Sequence, residues 1–548
     1  MPNYPHYLER LQNSTRKYWD KVALNTIGGD SYSFGQMAVQ IEKFHLVFEK
    51  LGFKKGDKIA LYARNGARWG MCYMAVNTYE TVIVPLLADF TPDNASFLVD
   101  HSESIALFTN EDKWKKMDIS KMPRLRIAID VDTWKCLWTR EEKDKDTYDT
   151  MEDLFDAKWH DGYGPSNVVF PTDNWEDLST ISYTSGSTGD PKGVMLTYHN
   201  FSANVDYSQR NVPAGERMVS MLPMAHMYGL VIEFIYPMCN GTSIYWMAKA
   251  PTPAALMKAF AEVKPYQLIT VPLVMEKIYK SKVKPMLDKP AIKIATKIPG
   301  LSNIVYKKVR DGLMAAFGGE CERFIMGGAP LNPEAEKLFR RIKLPYLVGY
   351  GMTEACPLLA YERWDKYVPG SCGKAVDVAT VRIDSEDPEH IAGEIQAKGE
   401  NITIGYFKKP EASANAFTED GYLRTGDLGI MDKDGNIFIK GRSKSMILTA
   451  NGQNVYPEEL EAIVNNQPYV SESVVVDRAG KIVALVYLDK DGIKNAGLDD
   501  EAVADLPEKI RVGANRSLPS YSKITKVEPV LVPFEKTPKM SIKRFLYK

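Results

Sequence analysis

The sequence predicts an α/β protein of two domains from its length, its alternating apolar periodicities, and a change of texture past residue 427. A chain of 548 residues exceeds the size at which one hydrophobic core stops growing, so more than one domain is expected. Through the first four-fifths, short β-branched apolar runs alternate with longer segments whose apolar residues recur at helical spacing. This is the pattern of βα units, which build parallel sheets covered by helices. After Asp427 Gly-Asp turns and short strands take over, and a boundary near Gly441 to Ser443 leaves roughly a hundred residues for a small α+β domain. The expected division is 1–441 and 442–548.

In order, Lys58 to Tyr62 reads as a strand, Ala67 to Tyr79 as a helix and Thr81 to Val84 as a strand. Thr91 to His101 opens on Thr-Pro-Asp, a helix start, and Ile105 to Thr109 returns to strand. The charged stretch from Lys135 to Asp156 suits a solvated surface excursion better than core. Met218 to Leu222, Ser243 to Trp246, Gln267 to Val271 and Arg323 to Met326 read as strands, with helices such as Pro253 to Val263 and Pro333 to Ile342 between them. Asp432 to Asn436, DKDGN, is a hairpin turn.

Composition excludes several functions. Lys and Arg total 69 against 70 Asp and Glu, so no overall basic field attracts nucleic acid or anionic lipid, and a phosphate-bearing ligand must be held locally. Met1 to Asp20 lacks a signal-peptide pattern and no apolar run approaches a bilayer span, which points to a cytoplasmic protein. The six cysteines are scattered without metal-ligand spacing and read as reduced, mostly buried thiols. Cys356 has no neighbouring base that would make it a nucleophile.

The most informative segment is Ile181 to Val194, ISYTSGSTGDPKGV, which sets Thr184, Ser185, Gly186, Ser187, Thr188, Gly189 and Lys192 directly after a strand. Glycines allow close backbone approach, hydroxyls and N–H groups donate, and a lysine supplies mobile charge, so the loop suits a polyphosphate. It is not the P-loop of NTPases, because Pro191 and Gly193 flank the lysine where that motif needs Gly and Ser or Thr. A flexible Gly- and Ser-rich surface loop is the alternative on composition alone.

The loop resembles the signature of the adenylate-forming superfamily of acyl-CoA synthetases, luciferases and nonribosomal adenylation domains, and further segments follow in that family's order. Pro223 to Gly229, PMAHMYG, resembles the acyl-pocket segment and implies pocket roles for His226 and Tyr228. Met326 to Leu331, MGGAPL, implies that an adenine lies against Gly328, Ala329 and Pro330. Gly349-Tyr350-Gly351-Met352-Thr353-Glu354 implies adenine near Tyr350, phosphate at Thr353 and Mg²⁺ at Glu354. Gly393 to Tyr406 matches a segment read as structural, not catalytic. Asp427 in YLRTGD would accept from the ribose hydroxyls, and Arg442 would reach ribose or phosphate. Lys444 takes the hinge position, and Gly452 marks where pantetheine passes. The helix expected from Pro457 carries acids in its first turn.

The resemblance implies a large N-terminal domain of βα subdomains with a distorted β-barrel, and a small mobile C-terminal domain. It implies ATP, Mg²⁺ and coenzyme A as cofactors, with a carboxylic acid, most like a long-chain fatty acid, joined to CoA through an acyl-adenylate. The partners are then small molecules and not nucleic acid, with peripheral membrane contact for a lipid substrate and a homodimer left open. One position departs from the family. Where relatives carry the adenylation lysine, this chain has Ser541, within Lys536 to Arg544, KTPKMSIKR. Lys539 and Lys543 each lie two residues away, on the same side of an extended chain. Another adenylate-forming enzyme, such as an aryl-acid ligase or a carrier-loading ligase, and a nucleotide- or acyl-binding protein that has lost catalysis at Ser541, remain the alternatives. The absence of a carrier domain after Lys548 favours CoA over carrier loading.

Overall fold

The computed structural model describes residues 2–185, 191–247, 253–448, 454–478, 480–536 and 542–547. The first βα units form where their apolar runs fall. Strands Lys58–Tyr62, Val82–Pro85 and Ser104–Thr109 lie parallel, with the first in the middle. Between them run helices Ala67–Thr78 and Pro92–His101. The second helix starts as its Thr-Pro-Asp opening demands: the Thr91 hydroxyl accepts from the Asn94 N–H at 3.3 Å and Pro92 takes the first turn, a cap worth about 1 kcal/mol.

These strands belong to an eight-stranded sheet whose other half includes the antiparallel hairpin Leu178–Ser185 and Pro191–Thr197. Gly405–Tyr406 closes the edge beside that hairpin. At the opposite edge the charged stretch after Lys135 departs from expectation. Cys136–Thr139 pairs with Ile127–Asp130, and two short helices follow, Glu142–Asp149 and Met151–Lys158. Tyr148 and Met151 are buried and Asp144 pairs with Arg126 at 3.0 Å. One or two buried side chains per helix suffice to dock a segment whose average composition is polar.

A second sheet of four strands, Arg217–Ser220, Ser243–Met247, Val22–Ile27 and Ser31–Ser33, and a third of three parallel strands, Gln267–Thr270, Arg323–Met326 and Tyr346–Val348, complete the α/β part. Two small antiparallel sheets between Tyr350 and Arg442 stand where a barrel is expected. The DKDGN turn forms as read: Gly435 has φ +85° and donates to the Asp432 carbonyl at 2.9 Å.

Beyond Ile447 the chain builds its own cores. Val470–Arg478, Lys481–Leu488 and Lys526–Val530 form one sheet, packed by helices Pro457–Val464 and Leu506–Asn515. Its buried apolar residues run from Ile447 to Phe534 and share no cluster with the preceding sheets. Among the described residues, polar contacts of this unit to the rest include Lys280 Nζ donating to the Asn465 carbonyl at 2.8 Å, Asn332 Nδ2 donating to Asn466 Oδ1 at 2.7 Å, and the Lys440–Glu459 pair at 3.4 Å. Among the described residues no helix is long and apolar enough to cross a membrane. All six cysteines are unpaired, and all but Cys136 are buried. Burial pushes the Cys356 thiol well up, as an unreactive thiol requires.

Candidate active site

The glycine-rich hairpin delivers Lys192 opposite Thr184 across the strand pair. The Lys192 ammonium lies 4.6 Å from the ring centroid of Tyr406, a cation–π contact. The Tyr406 hydroxyl donates to Glu354 Oε1 at 3.0 Å. Tyr406 therefore joins the two charged groups expected for phosphate and Mg²⁺, a contact that the reading of the Gly393 to Tyr406 segment as structural did not contain. The strand pairing that sets Tyr406 beside the hairpin carrying Lys192 joins segments far apart in the chain, so no local signal in the sequence gives this contact.

Glu354 is held in position by buried amides. Asn204 and Asn401 both donate to the Ala355 carbonyl at 3.1 Å, Asn401 also reaches the Leu358 carbonyl at 2.7 Å, and the Asn204 side-chain oxygen accepts from Leu358 N–H. Both asparagines are fully buried, so they fix the backbone of the Thr353–Ala355 turn. Gly351 is required here: a Cβ would sit 2.1 Å from the Pro357 carbonyl oxygen. Glu354 Oε2 has no hydrogen-bond partner among the described residues, so it can meet a hard cation. No group of three His, Cys, Asp or Glu among the described residues could hold a metal. Mg²⁺ needs no such group, since it takes one or two carboxylates and fills its shell with phosphate oxygens and water.

On the same segment, Tyr350 is buried and its hydroxyl donates to Asp427 Oδ2 at 2.8 Å. Arg442 Nε approaches the other oxygen, Oδ1, at 3.0 Å. Asp427 and Arg442 face each other because their strands pair in that register. Burial raises the Asp427 carboxyl above its ordinary range, and the Arg442 guanidinium works against that shift. Each carboxylate oxygen keeps a second lone pair for a ligand hydroxyl. Tyr350 as a partner of Asp427 is a contact the motif did not contain.

The three parallel strands end side by side, as ligand crevices in open α/β sheets do. Gly349 N–H bonds the Met326 carbonyl at 2.8 Å, and Gly327 N–H bonds that of Thr270 at 3.2 Å. Gly328, at φ +83°, and Ala329 and Pro330 are exposed at the strand end. Tyr228 crosses these ends: its hydroxyl sits 3.3 Å from the Ile325 carbonyl and 3.4 Å from that of Thr270. A Cβ on Gly327 would lie 3.1 Å from the Tyr228 ring, so this glycine admits the ring. His226 Nδ1 accepts from Tyr228 N–H at 3.3 Å.

Two residues absent from the motifs hold the loop that carries His226. Asn65 donates to the Leu222 carbonyl at 2.8 Å and accepts from Met224 N–H at 3.1 Å. Glu233, fully buried in the π-helix Tyr228–Ile235, accepts from Ser220 Oγ at 2.8 Å, Leu222 N–H at 3.0 Å and Met221 N–H at 3.2 Å. Burial pushes its carboxyl from 4.5 up to about 7, against the pull of those donors. The folded chain thus keeps a proton that the unfolded chain has released between those two values. Stability contributed at lower pH is lost as pH rises through that window, by on the order of 3 kcal/mol at most. Denaturant titrations of wild type and Glu233→Gln at about pH 5 and pH 8 are expected to show a smaller loss in the variant. Equal losses would refute the linkage.

In the C-terminal unit the Pro457–Val464 helix forms with Glu458 and Glu459 in its first turn. Lys444 is exposed in the turn Ser443–Ser445. Lys543 pairs with Glu535 at 3.2 Å, Arg544 clamps Glu461, and Lys536 pairs with Glu472. Gly186, Ser187, Thr188, Gly189, Gly452, Lys539 and Ser541 lie outside the described residues, as does the Ser185 side chain.

With this geometry in place, similarity to known proteins defines the class. The AMP-binding enzyme family model matches residues 11–407, and the AMP-binding enzyme C-terminal domain model matches 444–547. The chain belongs to the AMP-binding enzyme family. It is 26% identical over 561 residues to long-chain-fatty-acid–CoA ligase FadD15 of Mycobacterium bovis, covering 93% of this chain and 89% of that one. ATP-bound MatB from Rhodopseudomonas palustris has the same fold, with a TM-score of 0.76, 22% identity and coverage of 98% and 97% of the two chains. So does o-succinylbenzoate CoA synthetase from Bacillus subtilis in complex with ATP and a magnesium ion, at 0.72, 19%, 99% and 98%.

Proposed function

We propose that this protein is an ATP-dependent acid:CoA ligase acting on a fatty acid, with ATP, Mg²⁺ and CoA as its cofactors. The observation that carries the reading is three groups of contacts, Lys192–Tyr406–Glu354, Tyr350–Asp427–Arg442 and Gly327–Tyr228, tied together by the segment 349–354 and by the Gly349 N–H bond to the Met326 carbonyl. These contacts support a single site for the residues proposed for phosphate, ribose and acyl group. The names of similar ligases support the acid and CoA as substrates.

In the first half-reaction an acid oxygen attacks the α-phosphorus of ATP and pyrophosphate leaves, giving the acyl-adenylate. Two anions must meet, so Lys192 and the hairpin donors offset repulsion and align the atoms. Glu354 would hold Mg²⁺, which supplies positive charge to neutralise the phosphates. Asp427, with Arg442, would hold the ribose, and His226 and Tyr228 would line the acyl site. In the second half-reaction the CoA thiol attacks the acyl carbonyl and AMP leaves. The boundary at 441/442, the hinge at Lys444 and the passage at Gly452 belong to this proposal, and the separate cores past Ile447 support the boundary. Lys543 is engaged by Glu535, which favours Lys539 as the cation that replaces the lysine missing at Ser541. A lipid substrate also makes peripheral contact with a membrane part of the proposal.

The test is acid-dependent pyrophosphate release across a fatty-acid chain-length series, followed by CoA-dependent thioester formation. Both are expected. Pyrophosphate release without thioester would indicate another adenylate-forming enzyme. Nucleotide or acid binding without pyrophosphate release would leave a binding protein.

A further inference from the structure

The chain between strands Gln267–Thr270 and Arg323–Met326 leaves the third sheet and returns to it through a run of short helices ending in Leu301–Ala316. Its charge is unlike the rest of the molecule. Residues 277–310 hold ten lysines and arginines and one aspartate, in a chain whose net charge is −1. Among the described residues none of those ten cations forms a salt bridge, whereas exposed lysines elsewhere, such as Lys115 and Lys121, have carboxylate partners. Internal pairing does not explain this run.

Apolar side chains accompany the charge on the outside. Ile294 is 63% exposed and Ile304 65%, with Ile298 and Leu301 also exposed between them. Helix Leu301–Ala316 buries Val309 and Leu313 against the core, so its inner face is already satisfied and Leu301 and Ile304 are surplus to it. Helix Pro290–Ala295, which bears Ile294, packs on this helix. Aliphatic side chains amid unpaired lysines form an amphipathic basic surface, the composition that lies in the interface of an anionic bilayer. A soluble polyanion would use the lysines and gain nothing from exposed isoleucines.

We propose that the surface around Ile294 to Ile304, with Lys289, Lys293 and Lys297, docks this protein on membranes containing anionic phospholipid. One root of the excursion touches the proposed acyl site: Tyr228 lies against the carbonyl of Thr270, where the chain leaves the sheet, and against that of Ile325 on the strand to which it returns. The docked surface is therefore joined through the backbone to the proposed acyl site. What the docking serves rests on the fatty-acid reading above, but whether it occurs does not.

The experiment is co-sedimentation of the full-length protein with vesicles of mixed phosphatidylcholine and phosphatidylglycerol, and with vesicles of phosphatidylcholine alone. Wild type is expected to bind the mixed vesicles, more weakly as salt rises. Each lysine near an anionic surface is worth roughly fivefold in partition, so K289Q/K293Q/K297Q should lose about a hundredfold. I294N/I304N should lose at least about tenfold by removing buried apolar area. No binding by wild type, or equal binding to both vesicle types, overturns the proposal. Loss in the lysine variant with none in the isoleucine variant also overturns it, assigning the surface to an acidic macromolecule. Pyrophosphate release with octanoate and no vesicles separates the two readings. Failure there by wild type overturns the ligase and leaves docking standing, and both variants should match wild type in that assay.

Discussion

Lys192→Ala and Glu354→Ala are each expected to lower acyl-adenylate formation at least tenfold, and nearer a hundredfold where their charge meets the phosphates directly. The cause is poor neutralisation as the carboxylate approaches the α-phosphate. Tyr406→Phe should fall between these variants and wild type. It keeps the ring beneath the Lys192 ammonium and removes only the hydrogen bond to Glu354. Pyrophosphate release at saturating ATP and acid measures all three. Wild-type rates in both charge-removal variants would refute the site, and a wild-type rate in Tyr406→Phe would leave Tyr406 a packing residue.

Lys539→Ala is expected to slow acyl-adenylate formation by about a hundredfold or more, while thioester formation from preformed acyl-adenylate stays close to wild type. Lys543→Ala should change adenylation far less, because Glu535 already engages that ammonium and the adjoining Arg544 is clamped to Glu461. The pairing of Lys536 with Ile542 brings the two ends of the intervening stretch together, and Lys539 is the central residue of that stretch in sequence. The opposite pattern would move the role to Lys543. Wild-type rates in both variants, with no gain from Ser541→Lys, would show that this segment supplies no adenylation cation.

What was legible in the sequence follows from how local each signal is. Lys58–Tyr62, Arg323–Met326 and Pro253–Val263 have the bounds expected from periodicity alone, since burial on one or both faces determines them. Neighbouring elements shift by a residue or two, as Thr81 to Val84 becomes Val82–Pro85, because end positions depend on caps and partners. The helices after Lys135 were missed because a docked helix here needs only Tyr148 or Met151 inward, too sparse a signal against acidic composition. Motif residues were legible for the same reason: each lies in one short segment. Tyr406, Asn65, Asn204, Asn401 and Glu233 act on segments 11 to 157 residues away in sequence, through contacts that only the fold creates.

The strand Ile437–Arg442 touches both units at its end. Lys440 pairs with Glu459 at 3.4 Å, and a Cβ on Gly441 would meet Glu458 Oε2 at 2.9 Å. Arg442, the next residue, lies on Asp427. If nucleotide at Asp427 favours one orientation of the C-terminal unit by some factor, then fixing that orientation must tighten nucleotide binding by the same factor. A cross-link that immobilises the two units, placed far from the crevice, would therefore change the affinity for AMP without altering a single residue that touches it.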